Sequence, residues 1–529
     1  MPQLAARYIA PPATLAEGWS LERLTPPSRL HGANGIKPGK DGRLYVAQVC
    51  GSQVSAVDID SGDIETISPM GGGITGPDDL AFDEEGNIYC TEITTNRLSV
   101  LHPDGTSRIL SGNVPVANPV TVYQNRVIAG ELRMDGQICE FDRSTGEARV
   151  ILGNVPMPNA FEVGPDGKLY FPAQGANEIW RVSLDGGAPE VIARDLGIPD
   201  SVKFDAQGLI VSTQVGSGQV LRIDPRTGAR EVLADIGPGL DNCAFVGSRL
   251  FASHITGGIF EVLGGGKHRA LIEQGFQWPM GIAVNAAGTV TVADGMFAYT
   301  VAAGAERQMI GSLFGGNYPG FLRGIGSCGA DRLVTTTANG TVARWTPGSE
   351  PELLASGFDR LMGVAEGPGG AVVFADYDSG RVMQAAGGEV SELASGLDKP
   401  MGVAVGGDGA VYVAESGAGR VVKVSGGRVS TVLDGLREPQ GIAVRGGKLF
   451  VLDVAAKQVI ECDLSGGAQR IIAAGLAVGA PPGVMPKPLG GVGDMCGPMT
   501  AFAGIAAGAD GSLYLSADAE GSVLALRAG

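Results

Sequence analysis

The sequence predicts an all-β chain folded as two six-bladed β-propellers, and three features predict it. A unit recurs twelve times, as in "MPNAFEVGPDGKLYFPAQGANEIWRV" and "KPMGVAVGGDGAVYVAESGAGRVVKV". Its spacing is 39 to 44 residues, apart from a last interval of 63. A period near 40 with strand-like content marks propeller blades. Each unit holds about four short apolar runs rich in Val, Ile, Leu and Tyr, bounded by Gly, Asp, Asn and Pro.

Within a unit the elements follow from residue type. "GPDDLAF", "NIYCTE", "RLSVLHP" and "SRILSG" read as four successive strands. Turns such as "PDG", "EEG" and "GDG" suit hairpins, because glycine adopts positive φ at little cost. One blade cannot bury both of its faces, so blades must stack around an axis. Twelve exceed the usual 4–8 of a single ring. The expected division is an N-terminal arm at 1–28, a first propeller at 29–272 and a second at 273–529. The Pro/Gly-rich stretch 475–501 is an insertion in the second. The last repeat stops at "GSVLALRAG", and "GWSLERLTPP" resembles the outer strand it lacks, so the arm is expected to close the final blade.

The residue opening each repeat changes character between the halves. In the first six repeats it is Asn34, Asp78, Asn118, Asn159, Asp200 and Asp241. In the last six it is Met280, Arg323, Met362, Met401, Gln440 and Ala503. Openings of equivalent blades converge on the mouth of a central channel. Six carboxylates and amides there form an oxygen-rich cage for a hard divalent cation. Ca²⁺ is the first choice, with Mg²⁺, Mn²⁺ or Zn²⁺ as alternatives.

A second column ends the second strand of each unit. It comprises Gln48, Glu92, Glu131, Gln174, Gln214 and His254, and it reaches the same mouth. Glu92, Glu131 and His254 are its candidate catalytic acid–base groups. The competing role is simple capping of the next turn. Asp294, Asp376, Glu415 and Asp453 hold that column in the second half, where no cage is expected.

Composition excludes several classes. The formal charge is −17 and the pI about 4.8, so there is no basic footprint for nucleic acid. No apolar run reaches the ~18 residues of a membrane span. The N-terminus lacks the n- and h-regions of a secretory signal, which predicts a cytoplasmic protein. Seven scattered cysteines without a C-x-x-C pair read as free thiols.

The units resemble NHL-type repeats, and the first half resembles the regucalcin/gluconolactonase/strictosidine-synthase-like six-bladed propellers. The resemblance rests on "ANPV" with Asn118, "MPNAFEVGPDGKLYF" with Asn159 and "IPDSVKFDAQGLIVS" with Asp200. It implies one divalent cation held by an early-blade Glu, an Asn in the third blade, an Asn in the fourth and an Asp in the fifth. The chain departs in blade one, where Asn34 stands in "HGANG". It departs again where "PNA" and "PDS" lack the usual glycine. "GNIYCTEITTNRL" is similar, more distantly, to virginiamycin B lyase, with Glu92 in the matching context but Asp78 where that lyase has a His. The expected function is metal-dependent hydrolysis of a lactone or related ester of small size. A metal-dependent lyase and a non-catalytic interaction scaffold are the alternatives.

Overall fold

Each repeat forms one antiparallel sheet of four strands in chain order, because its apolar runs are short and its turns tight. In the computed structural model, which describes residues 7, 8, 10–302 and 306–529, there are twelve such sheets. Eleven have four strands and one has five. No α-helix occurs among the described residues, and none of their helices could cross a membrane.

The chain divides into two compact units. The first comprises Arg7, Ser28–Gln277 and Val484–Gly493; the second comprises Tyr8–Pro27, Trp278–Gly483 and Asp494–Gly529. Residues 1–6 of the N-terminal arm lie outside the described residues. Trp19–Arg23 is the outer strand of the twelfth sheet, paired with Ser522–Ala528. Arg23 secures it with two hydrogen bonds, at 2.7 and 2.9 Å, to the buried Glu520 carboxylate. Thr14–Leu15 adds a fifth strand to the eleventh sheet, on Gln469–Ala474. The stretch 475–501 is shared: its Val484–Gly493 part belongs to the first unit.

In the first unit the inner strands are Ile36–Pro38, Pro77–Phe82, Ala117–Tyr123, Glu162–Val163, Lys203–Phe204 and Leu240–Val246. Their ladders are interrupted where the repeat opens. Pro77 pairs with Glu92 and Leu80 with Cys90, which leaves Asp78 and Asp79 out of register. The same break sets Asn118 and Pro119, and Asp241 and Asn242, outside the ladder. A bulge of this kind re-aims side chains. Hydroxyls then tie sheet to sheet. Thr91 donates to the Asn118 carbonyl, Thr213 to that of Asp241, and Ser253 to that of Asn34. The last of these joins the sixth sheet back to the first. In the second unit Thr336 donates to the Met362 carbonyl, and Ser516 of the twelfth sheet to Met280 of the seventh.

The residue after each opening sets how closely the inner strands approach. In the second unit it is always glycine: 281, 324, 363, 402, 441 and 504. A Cβ at Gly402 would lie 2.2 Å from the Gln440 carbonyl oxygen, and one at Gly324 2.3 Å from that of Met362. Side chains are excluded there by backbone packing. In the first unit the same positions are Gly35, Asp79, Pro119, Ala160, Ser201 and Asn242. Five of the six carry side chains, where the second unit has none.

Candidate functional site

The six openings of the first unit are buried, between 4% and 8% exposed. They meet as neighbours in three Asn–Asp pairs. Asn34 Nδ2 donates to Asp241 Oδ2 at 3.2 Å, and Asn159 Nδ2 to Asp200 Oδ2 at 3.1 Å. Asn118 hydrogen-bonds Asp78. Gln174 Nε2 also donates to Asp200 Oδ2, at 2.9 Å.

The electrostatics are lopsided. Burial pushes the Asp78, Asp200 and Asp241 carboxyls well above the ordinary range. Mutual repulsion is the next cause: Asp241 acts on Asp78, Asp78 on Asp200, and Asp200 on Asp241. Among the described residues, none of the three makes an ion pair with Lys, Arg or His. Lys203 alone acts on one of them, Asp200, without pairing with it. Buried carboxylates that lack a paired countercharge are costly, which favours uptake of protons or of a cation.

The asparagines are not equivalent. Asn34 Oδ1 already accepts from the Val49 amide at 3.3 Å, and Asn159 Oδ1 from the Ala160 amide at 2.7 Å. These two therefore turn their amide NH₂ groups toward carboxylates and steer them. Asn118 Oδ1 is buried and has no hydrogen-bond partner. The oxygens open to a cation are thus the three carboxylates and Asn118 Oδ1. An all-oxygen set of this kind fits a hard divalent ion. Among the described residues no three His, Cys, Asp or Glu side chains already form a metal-holding cluster, so the three carboxylates are not gathered at one point.

The second column divides. Glu92 is fully buried and accepts from the Thr75 amide at 2.8 Å, from Ser99 and from Arg97. Gln48 accepts from the His31 amide and Gln214 from the Gly197 amide, in the equivalent loops. His254 Nε2 contacts the Pro238 carbonyl at 2.8 Å, while Nδ1 accepts from the Thr256 amide and faces its hydroxyl. The Thr256 amide fixes Nδ1 as acceptor and hence Nε2 as the protonated donor. Asp294 and Asp453 do the same work in the second unit, on the Trp278, Arg437 and Glu438 amides. Glu92 and His254, the expected acid–base candidates, both hold the loop that leads to an opening.

Glu131 and Gln174 differ from them. Gln174 reaches the Asp200 carboxylate. Glu131, equivalent one sheet earlier, is half-buried and accepts only a long 3.3 Å bond from the Gln137 amide. Burial raises its carboxyl above the ordinary value. His31, three residues before Asn34, is buried and held neutral, first by burial and then by Arg7.

Beneath the openings lies a layer the sequence reading passed over. It contains Asp79, Lys37, Glu162 and Lys203. The lysines and Glu162 each stand three residues beyond an opening, and reading that column across the repeats would have found them. At its own openings the second unit carries mainly apolar residues and an arginine. Met280, Met362 and Met401 are buried at its openings. Arg323 beside them donates to the Leu361 and Pro498 carbonyls. A cleft of about 240 Å³ in that unit, lined by residues such as Asn285, Thr291 and Asp331, includes none of the openings.

Residues 120–258 match the family described as the SMP-30/Gluconolactonase/LRE-like region. No curated protein matches the chain. Among solved structures, virginiamycin B lyase from Staphylococcus aureus is 16% identical, with 52% of this chain and 96% of that one covered and a TM-score of 0.38. A gluconolactonase from Xanthomonas campestris is 17% identical, over 47% and 95%, with a TM-score of 0.37. Regucalcin from Agrobacterium tumefaciens, described as a calcium-binding protein, is 19% identical, over 44% and 85%, with a TM-score of 0.35. The stretch that carries Asn159, Asp200 and Asp241 is therefore the one that is similar to the SMP-30/Gluconolactonase/LRE-like family.

Proposed function

We propose that the first unit is a six-bladed propeller that binds one divalent cation, Ca²⁺ as first choice, and hydrolyses a lactone or related ester of a small molecule. The second unit is a six-bladed propeller with a structural role. One observation carries the reading: three buried, mutually repelling carboxylates make no ion pair, beside an asparagine oxygen with no partner of its own. The family match over residues 120–258 supports the reaction class.

In this reading Asp78, Asp200, Asp241 and Asn118 hold the ion. Asn34, Asn159 and Gln174 fix the carboxylate orientations through their NH₂ groups. A divalent ion so held supplies polarisation of the ester carbonyl and acidification of water. Glu131 accepts the proton from the attacking water. Its half-buried carboxyl, raised by burial, is a stronger base than an ordinary carboxylate, which suits that task.

The test is hydrolysis of a panel of sugar-acid and acyl lactones by metal-stripped protein, with Ca²⁺, Mg²⁺, Mn²⁺ or Zn²⁺ added back. Metal-dependent ring opening that is lost in Glu131→Gln, with ion binding retained, supports the assignment. No turnover of any lactone with any of the four ions refutes it.

A further inference from the structure

The acids of the first unit lie in two layers that are compensated differently. The upper layer holds three carboxylates, Asp78, Asp200 and Asp241, and no cation of its own; Lys203 of the lower layer lowers the pKa of Asp200, while Asp79 raises that of all three. The lower layer holds two, Asp79 and Glu162, together with two lysines. Lys37 Nζ stands 4.0 Å and Lys203 Nζ 3.8 Å from Glu162 Oε2. Both lysines are buried, at 8% and 5% exposed. They sit on different inner strands, Ile36–Pro38 and Lys203–Phe204, and meet at the Glu162 carboxylate of a third. Asp79 is braced by the Leu80 and Val120 amides and by Asn242 Nδ2.

We propose that Lys37 and Lys203 are the resident cations of this channel: they take the place of a second metal ion and restrict the protein to one divalent ion, held at the upper layer.

The proposal deepens the metal-binding reading and rests on it for the upper ion. A buried lysine must desolvate its ammonium, which is favourable only beside fixed negative charge. Two acids and two lysines match in formal charge, and a further cation there meets like charge at the Glu162 carboxylate. Three acids with none do not balance. For Lys37, burial opposes the charged form, but Glu162 and Asp79 outweigh it and the pKa stands above its ordinary value. For Lys203 burial and the neighbouring Lys37 prevail, and the pKa is lowered. Lys37 is therefore the firmer of the two charges.

The experiment is isothermal titration of metal-stripped protein with CaCl₂, backed by elemental analysis after dialysis. The wild type is expected to bind one equivalent. Lys37→Met/Lys203→Met is expected to bind one more, and adding Glu162→Gln to that variant should remove the extra site. The wild-type count tests the metal reading, whereas the difference between variant and wild type tests this proposal. A folded double variant with the wild-type count overturns it. If the double variant does not fold, Glu162→Gln alone decides. It leaves the lysines undercompensated and should weaken Ca²⁺ about tenfold through repulsion; unchanged affinity overturns the proposal.

Discussion

Replacing Asp200 by Asn separates a metal ligand from a structural acid, because the two roles predict opposite signs. Asp200 Oδ2 accepts from Asn159 and Gln174, and an asparagine Oδ1 can accept the same two bonds. The substitution therefore keeps shape and hydrogen bonds while it removes one of three mutually repelling buried charges. Each pKa unit by which a carboxyl is raised in the fold costs about 1.4 kcal/mol in its ionised form. Without metal, at pH 7.5, the variant should be more stable by at least ~1 kcal/mol. For a domain of this size that is roughly 2–4 °C in Tm. With Ca²⁺ the order reverses. An ion at about 100 times its Kd adds about 2.7 kcal/mol to the wild type. That is roughly 5–10 °C, and the variant should lose most of it. Differential scanning calorimetry with EDTA and with CaCl₂ measures both shifts. A variant less stable than wild type in EDTA, yet fully stabilised by Ca²⁺, would refute the argument.

Three further outcomes follow from the same geometry. The folded-state pKa of the ring carboxyls lies above the unfolded value, so folding takes up protons; this stabilisation is present at low pH and is lost as pH rises above the ordinary carboxylate range. Metal-free wild type should therefore lose stability with rising pH more steeply than Asp200→Asn, by up to about 1.4 kcal/mol per pH unit for one proton, as measured by urea unfolding between pH 5 and 8; the opposing contribution of neutral His31 cancels in the comparison. Glu92→Gln and His254→Ala should each cost about 2 kcal/mol by freeing buried loop groups, while calcium stoichiometry from titration calorimetry stays at the wild-type value. Gly402→Ala should destabilise the second unit by about 1–3 kcal/mol through overpacking, whereas Gly407→Ala, with open space around it, should be near neutral in the same thermal melts.

The strand content was legible because period-2 apolar runs end at turns whose glycines take positive φ, such as Gly86 and Gly409. The ring of openings was legible for a different reason. Its residues fall at a register break, where a side chain leaves the ladder, so the column escapes the alternation that disguises most strand positions. The second column misled because its members share one position and two jobs. Glu92, Gln48, Gln214 and His254 satisfy loop amides or carbonyls, whereas Gln174 turns to a carboxylate. No spacing rule distinguishes these, since the choice depends on where the adjacent loop backbone runs.

The residues beside the openings hold the stronger lesson. Two columns went unread: the residue one beyond each opening and the residue three beyond. The first is glycine in all six repeats of the second half and in one of six in the first half. Glycine there means inner strands packed so closely that a side chain is excluded, as the 2.2 Å from a Cβ placed at Gly402 to the Gln440 carbonyl oxygen shows. Larger residues force the strands apart. The second column reads Lys37, Glu162 and Lys203 in repeats one, four and five, charges that on a strand pass for a solvated face. Only the convergence of strands from repeats one, four and five makes them one cluster. The Met openings argued against a site in the second half by their chemistry alone. The glycine column argues the same by volume, and it would stand even if every methionine there were polar.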